Sequence, residues 1–212
     1  GTRSVTRTEH NGKITTLVDQ FDGKPLNAPN DVVVKSDGSI WFTDPTYGIL
    51  SDYEGHKSTP EQSHRNVFRL DPETGELWQA TTEFTQPNGL AFSQDEKLLY
   101  VAESGSSHDD SVPSVIRVYD VDANNMLENG RVFTTIDKGI PDGFRVDCHG
   151  NVWSSAADGV HCFDAGGELL GKILVPETVS NLSFGGPRGN ELLITATTSV
   201  YAIHVNSAAA TP

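Results

Sequence analysis

Three residues at the same point of a repeated pattern carry the chemistry legible in this chain: Asn30, Asn88 and Asp142. Each follows a proline, in Pro29-Asn30-Asp31, Pro87-Asn88-Gly89 and Pro141-Asp142-Gly143, and each opens a compact apolar run. Two carboxamide oxygens and one carboxylate form a hard, oxygen-only donor set. Such a set suits calcium, with manganese or magnesium as alternatives and zinc a less natural guest. Taken singly, an Asn or Asp after proline is an ordinary turn residue that bonds to nearby backbone. Three at one phase of a repeat point instead to a shared cation. Only Asp142 among them can also accept a proton, since amides are not bases near neutral pH, so it is the candidate general base.

Two further acids stand at related places. Asp44, in Asp44-Pro45-Thr46-Tyr47-Gly48, follows the inner hairpin of the first unit, and Glu103 ends the matching run of the second. Both, with Asn30, are candidates to touch substrate or to stand behind the ligands. Asp44 could also bind a second cation, and an Asp-Pro turn explains it equally well. Asn181 of the fourth unit reads at the ligand phase, but with Ser180 rather than proline before it. His56, His64, His108, His149 and His161 show no metal-ligand spacing. The absence of a Gly-x-Ser-x-Gly elbow, a phosphate-cradling glycine loop and a Cys-x-x-Cys pair leaves covalent serine hydrolysis and nucleotide chemistry unsupported.

These residues need elements to hold them, and the elements read as strands. Helical periodicity is nearly absent, and short β-rich runs alternate with Gly, Asp, Asn and Pro turn signals. Four units share one plan: a polar opener, a strand, a tight turn and a second strand. The first runs from Pro29 through Asp37-Gly38 to Ile40-Trp41-Phe42-Thr43-Asp44, the second from Pro87 to Leu98–Glu103. The third runs from Pro141 to Val152-Trp153-Ser154-Ser155, and the fourth, degenerate, from Ser180 to Leu192–Ala196. A further hairpin follows, as at Asn66–Leu70 and Glu76–Ala80. Two hairpins every roughly 40–55 residues make one four-stranded propeller blade. A β-sandwich is the competing fold, but sandwiches do not repeat a polar opener at one point of each unit. In a propeller, equivalent openers converge on the central channel. The expectation is therefore an all-β, six-bladed propeller, of which residues 1–206 supply four to five blades as one domain, with the N-terminal part absent. Residues 207–212 read as a disordered tail.

The 212 residues carry 15 basic and 29 acidic side chains, a net charge of −14. That balance argues against nucleic acid and against an anionic membrane surface as partners. No apolar run reaches the roughly 18 residues of a transmembrane helix. Gly1 is not a natural start, and no charged-then-apolar leader follows it. Cys148 and Cys162 fall on what read as the first and third strands of one unit, about 9–10 Å apart and too far for a disulfide. Two free thiols lean toward a cytoplasmic location, with the periplasm left open.

The segments Leu26–Pro45, Gln86–Ser93 and Ile140–Asp147 resemble, in order, three signatures of the gluconolactonase, senescence marker protein (regucalcin) and luciferin-regenerating enzyme family. The resemblance spans essentially the whole chain and is nearest the bacterial gluconolactonase branch. It implies a six-bladed propeller with one catalytic divalent cation and hydrolysis of a sugar or aldonic lactone to the open-chain acid. Another lactone, ester or organophosphate is the alternative substrate, and a non-catalytic binding propeller the alternative class. By position, the family's metal ligands fall on Asn88 and Asp142, and Asn30 matches an asparagine that binds metal or contacts substrate. The remaining family ligand, a glutamate of the first blade, is expected before Gly1 and is not assigned to Glu9. Regucalcin-like members carry an arginine two positions before the first asparagine; here that residue is Ala28, so their substrate preference does not transfer.

Overall fold

The computed structural model describes residues 1–210. They form two compact units, Gly1–Pro87 and the segment from Asn88 onward. The architecture is all-β. Among the described residues the helical content is one four-residue helix, α1 (Tyr47–Leu50), and one 3₁₀ turn at Gly105–Ser107.

The first unit opens with two small hairpins, β1 (Val5–Thr8) with β2 (Ile14–Val18) and β3 (Gln20–Phe21) with β4 (Lys24–Pro25). A four-stranded antiparallel meander follows: β5 (Val32–Val34), β6 (Ile40–Asp44), β7 (Arg65–Leu70) and β8 (Leu77–Phe84). Its apolar faces gather Leu26, Ile40, Phe42, Phe68 and Leu70 into one buried cluster. The turn between β5 and β6 needs a left-handed residue, and Gly38 supplies it at φ +87°.

A second meander consists of β9 (Pro87–Phe92), β10 (Leu98–Glu103), β11 (Val115–Val121) and β12 (Leu127–Thr135). A third consists of β13 (Phe144–Val146), β14 (Val152–Ala156), β15 (Gly159–Phe163) and β16 (Leu169–Leu174). The last sheet has three strands, β17 (Val179–Gly185), β18 (Glu191–Ala196) and β19 (Val200–His204). Side chains of consecutive sheets interdigitate. Tyr100, Ile116 and Val118 pack on Phe144, Val146 and Val152, and Val160 packs on Leu182, Leu192 and Ile194. Consecutive antiparallel meanders of this kind are propeller blades.

The C-terminal segment differs from the expected frayed tail. The Cys148 amide donates to the Ala208 carbonyl (2.9 Å) and the Ala210 amide to the Val146 carbonyl (3.0 Å). Ala208–Ala210 thus satisfy backbone groups at the outer side of β13 that would otherwise be left open. Thr211 and Pro212 lie outside the described residues. Both cysteines are free, as expected, but Cys148 sits in the exposed turn after β13 rather than on a strand. Cys162 is buried in β15, and burial pushes its thiol up to about 12, which makes it inert.

Candidate functional site

In the second unit the backbone brings two ligand candidates side by side. Asn88 lies within β9 and is buried; Asp142 lies two residues before β13 and is half-buried. The Gly89 amide donates to the Asp142 carbonyl at 2.9 Å, so one opener is stitched to the next. The same stitch recurs one blade on, where the Gly143 amide donates to the Ser180 carbonyl at 2.8 Å.

This geometry explains why glycine follows Asn88 and Asp142. A Cβ on Gly89 would sit 2.3 Å from the Asp142 carbonyl oxygen, and one on Gly143 would sit 2.2 Å from the Asn181 carboxamide carbon. Neither glycine has positive φ. The requirement is close approach of neighbouring blades, not a turn conformation. Asn88-Gly89 lies within β9, and Asp142-Gly143 leads directly into β13.

The stitch also corrects the phase of the fourth unit. Ser180, not Asn181, occupies the place that Asp142 occupies in the third. The irregular pairing of β17 with β18 between Val179 and Asn181 accounts for the one-residue slip. Asn181 instead covers Gly143 and accepts the Leu182 amide at 2.8 Å.

Asp142 is held from both sides. Its amide donates to the Ser155 hydroxyl at 2.9 Å, and the Ser155 amide returns to the Gly143 carbonyl at 3.0 Å. One residue earlier, the Pro141 carbonyl accepts the hydroxyl of fully buried Ser104. Glu103, beside Ser104, is buried at 6% exposure, and its Oε1 accepts the Gly105 amide at 2.8 Å. Its carboxylate thus holds the 3₁₀ turn that carries Ser104. The sequence pattern singles out Glu103 but offers no sign of the two serines, because their role is visible only in three dimensions.

The first unit holds Asn30 and Asp44. Asn30 is exposed and borders a cleft of about 350 Å³ lined also by Arg3, Ala28, Tyr47, Gly48 and Glu54. The volume is at the lower end of small-molecule sites. The Asn30 amide donates to the Thr43 carbonyl at 2.9 Å, which extends the β5–β6 pairing back to the opener. Asp44 ends β6 with no exposed surface. Burial pushes its carboxyl up to about 7, against two backbone amides and the nearby Arg3 charge, which pull it down. At the end of the unit, Gln86 is fixed by Thr46: its Oε1 accepts the Thr46 amide at 2.9 Å and its Nε2 donates to the Thr46 hydroxyl at 2.8 Å.

The donor chemistry fits a hard divalent cation. Among the described residues no three His, Cys, Asp or Glu side chains cluster as a metal site. A cation here would draw on carboxamide oxygens as well as a carboxylate, the donor types that Asn88 and Asp142 carry. Also among the described residues, no helix is long and apolar enough to cross a membrane.

Blades built this way, with polar openers stitched at their first strands, define an all-β propeller protein. The chain belongs to the SMP-30/Gluconolactonase/LRE-like family, whose model matches residues 2–198. It is 33% identical to the gluconolactonase of Zymomonas mobilis over 98% of this chain and 59% of that protein. It thus spans less than two thirds of that relative's length. A solved gluconolactonase from Xanthomonas campestris superposes with a TM-score of 0.87 at 39% identity, covering 96% of this chain and 66% of that one. Regucalcin from Agrobacterium tumefaciens, a calcium-binding protein, shares the fold with a TM-score of 0.69 at 20% identity, covering 89% and 59%.

Proposed function

We propose that the whole protein hydrolyses a sugar or aldonic lactone of the gluconolactone type to its open-chain acid, using one divalent cation. The reading rests on the stitched pair Asn88 and Asp142, set in a chain similar to gluconolactonases over nearly its full length. Asn88 and Asp142 are the proposed ligands, and Asn30, at the same phase of the first unit, is proposed to join them or to contact the lactone. Calcium is the preferred ion because the donors are hard oxygens and a solved protein of this fold is a calcium-binding protein. A bound divalent cation supplies charge that polarises the lactone carbonyl and makes water more acidic.

The protein's own groups do the rest. The Asp142 carboxylate accepts the proton of the attacking water, and its backbone is immobilised through Ser155 and Pro141 so that the carboxylate does not drift. Asn88 orients by its carboxamide oxygen and takes no proton.

Acid release from glucono-1,5-lactone at constant pH, corrected for spontaneous hydrolysis, tests the reading on the full-length protein. Calcium-dependent release above background is expected. Binding of the lactone without turnover would point instead to a non-catalytic propeller.

A further inference from the structure

The dipeptide Thr43-Asp44 receives every backbone N–H of the first opener. The Asn27 amide donates to Asp44 Oδ2 and the Ala28 amide to Asp44 Oδ1, both at 2.8 Å. Pro29 has no N–H. The Asn30 amide donates to the Thr43 carbonyl at 2.9 Å and the Asp31 amide to the Thr43 hydroxyl at 3.1 Å. Asn27 is fully buried, and its Nδ2 ties the same segment to the carbonyls of Asp44 (3.3 Å) and His64 (3.1 Å).

The third unit builds the corresponding grip without an anion at this place. In the third, Ser155 stands where Thr43 does and receives the Asp142 amide, while Ala156 stands in place of Asp44. In the second, Glu103 occupies the matching place and accepts the Gly105 amide. A buried carboxylate is a costly device for holding two amides that neutral oxygens could serve. Its distinguishing property is that its acceptor strength changes with protonation.

We infer that Asp44 is a positioning residue for Asn30, gripping the opener through Asn27 and Ala28 and releasing it in part when its carboxyl takes a proton. The inference rests on the reading of Asn30 as a site residue. A proton on either oxygen turns an acceptor into a donor and weakens the amide bond made there. Because burial raises the Asp44 carboxyl to about 7, the change falls near neutral pH. The charged and titratable groups about it are Arg3, Glu61 and His64. Arg3 donates through Nε to the Leu26 carbonyl (2.6 Å), and pairs with Glu61 (2.5 Å). His64 reaches the segment through its carbonyl.

The test follows the backbone amides of Asn27 and Ala28 and the side-chain amide of Asn30 by NMR across about two pH units either side of 7. It uses the wild-type full-length protein and its Asp44→Asn and Asp44→Ser variants, with kcat and KM for glucono-1,5-lactone in parallel. In the wild type the three amides should titrate together, with a midpoint near 7. Both variants should lose that titration. In the variants kcat should fall roughly 10- to 100-fold, the scale of a small misplacement of a reacting group, and the corresponding limb of the pH profile should vanish. Amides of Asn27 and Ala28 that do not move, or an Asn30 side chain that ignores their titration, overturn the inference. So does a folded Asp44→Asn enzyme with the wild-type pH profile. If the wild type turns over no lactone, the lactonase reading fails, while a shared titration reaching Asn30 still supports Asp44 as its positioning residue.

Discussion

The openers at Asn30 and Asp142 do the same structural job by different chemistry. Asp142 is fixed by neutral groups: the Ser155 hydroxyl at its amide, the Ser104 hydroxyl one residue earlier, and Asn181 over its neighbouring glycine. Asn30 is exposed, and the segment before it hangs on a buried anion. The residue proposed to take a proton in catalysis is thus met by hydroxyls, with the Glu103 carboxylate one step behind, holding the turn that carries Ser104. The segment before the residue proposed to meet the cation's periphery or the substrate is met directly by a carboxylate. The difference shows how a repeat can place similar groups and still give each its own sensitivity.

The largest effect expected separates Asp142 from the other proposed ligand. Asp142→Asn keeps an oxygen donor and removes the base, so turnover should fall by roughly 10²–10⁴ at saturating calcium while cation binding weakens but survives. Asn88→Ala should invert that pattern: calcium affinity falls first, and excess calcium restores part of the activity. Steady-state kinetics with calcium titrations would read both. Near-wild-type turnover of Asp142→Asn would remove it from the role of base.

The next effect probes the stitches. Gly89→Ala drives a methyl group against backbone, the Asp142 carbonyl, whereas Gly143→Ala drives one against the Asn181 side chain. Each should destabilise by about 1–3 kcal/mol, as overpacking does. Adding Asn181→Ala should rescue Gly143→Ala and leave Gly89→Ala unrepaired, which thermal unfolding would register. Equal rescue of both would mean that the blades do not step together as described.

The remaining effects are pH slopes of opposite sign. The Asp44 carboxyl is raised from 3.8 to about 7, so the unfolded chain gives up this proton first. Its contribution to stability is therefore unchanged below about 3.8, declines as pH rises to about 7, and is level above. Ionisation strengthens the local grip on the opener while lowering overall stability. Glu177 behaves oppositely. Hydrogen bonds from Ser199, Tyr201 and Thr198 lower its carboxyl from 4.5 to about 2. Their support is present above about 4.5 and is lost as pH falls toward 2. Unfolding curves of Asp44→Asn and Glu177→Gln across acid pH should each lose one of the two slopes.

Legibility in the sequence follows burial. Strand β9, buried at every position, and β14, buried at most, stand out as apolar runs. The outer strands β12 and β16 are mostly exposed and escape sequence reading: β12 carries little apolar pattern, and the apolar residues of β16 do not alternate with polar ones. The repeat placed Asn88 and Asp142 at one phase, and the backbone stitch brings them together. It misplaced the fourth unit by one residue, because a strand irregularity at Ser180 leaves no trace in residue types. Asp44 was legible as an acid at a strand end, but its partners Asn27 and Ala28 were not. Backbone amides have no sequence signature, and a carboxylate bound to them looks like an Asp-Pro turn.

The central claim, a cation-dependent lactonase working through Asn88 and Asp142, meets its most direct test in one titration. The full-length protein is stripped with a chelator, and acid release from glucono-1,5-lactone is followed at constant pH as calcium is restored. Release should rise from the spontaneous rate to a plateau, with the midpoint shifted to higher calcium in Asn88→Ala and the plateau collapsed in Asp142→Asn. Full activity after chelation, unchanged in both variants, would contradict the claim.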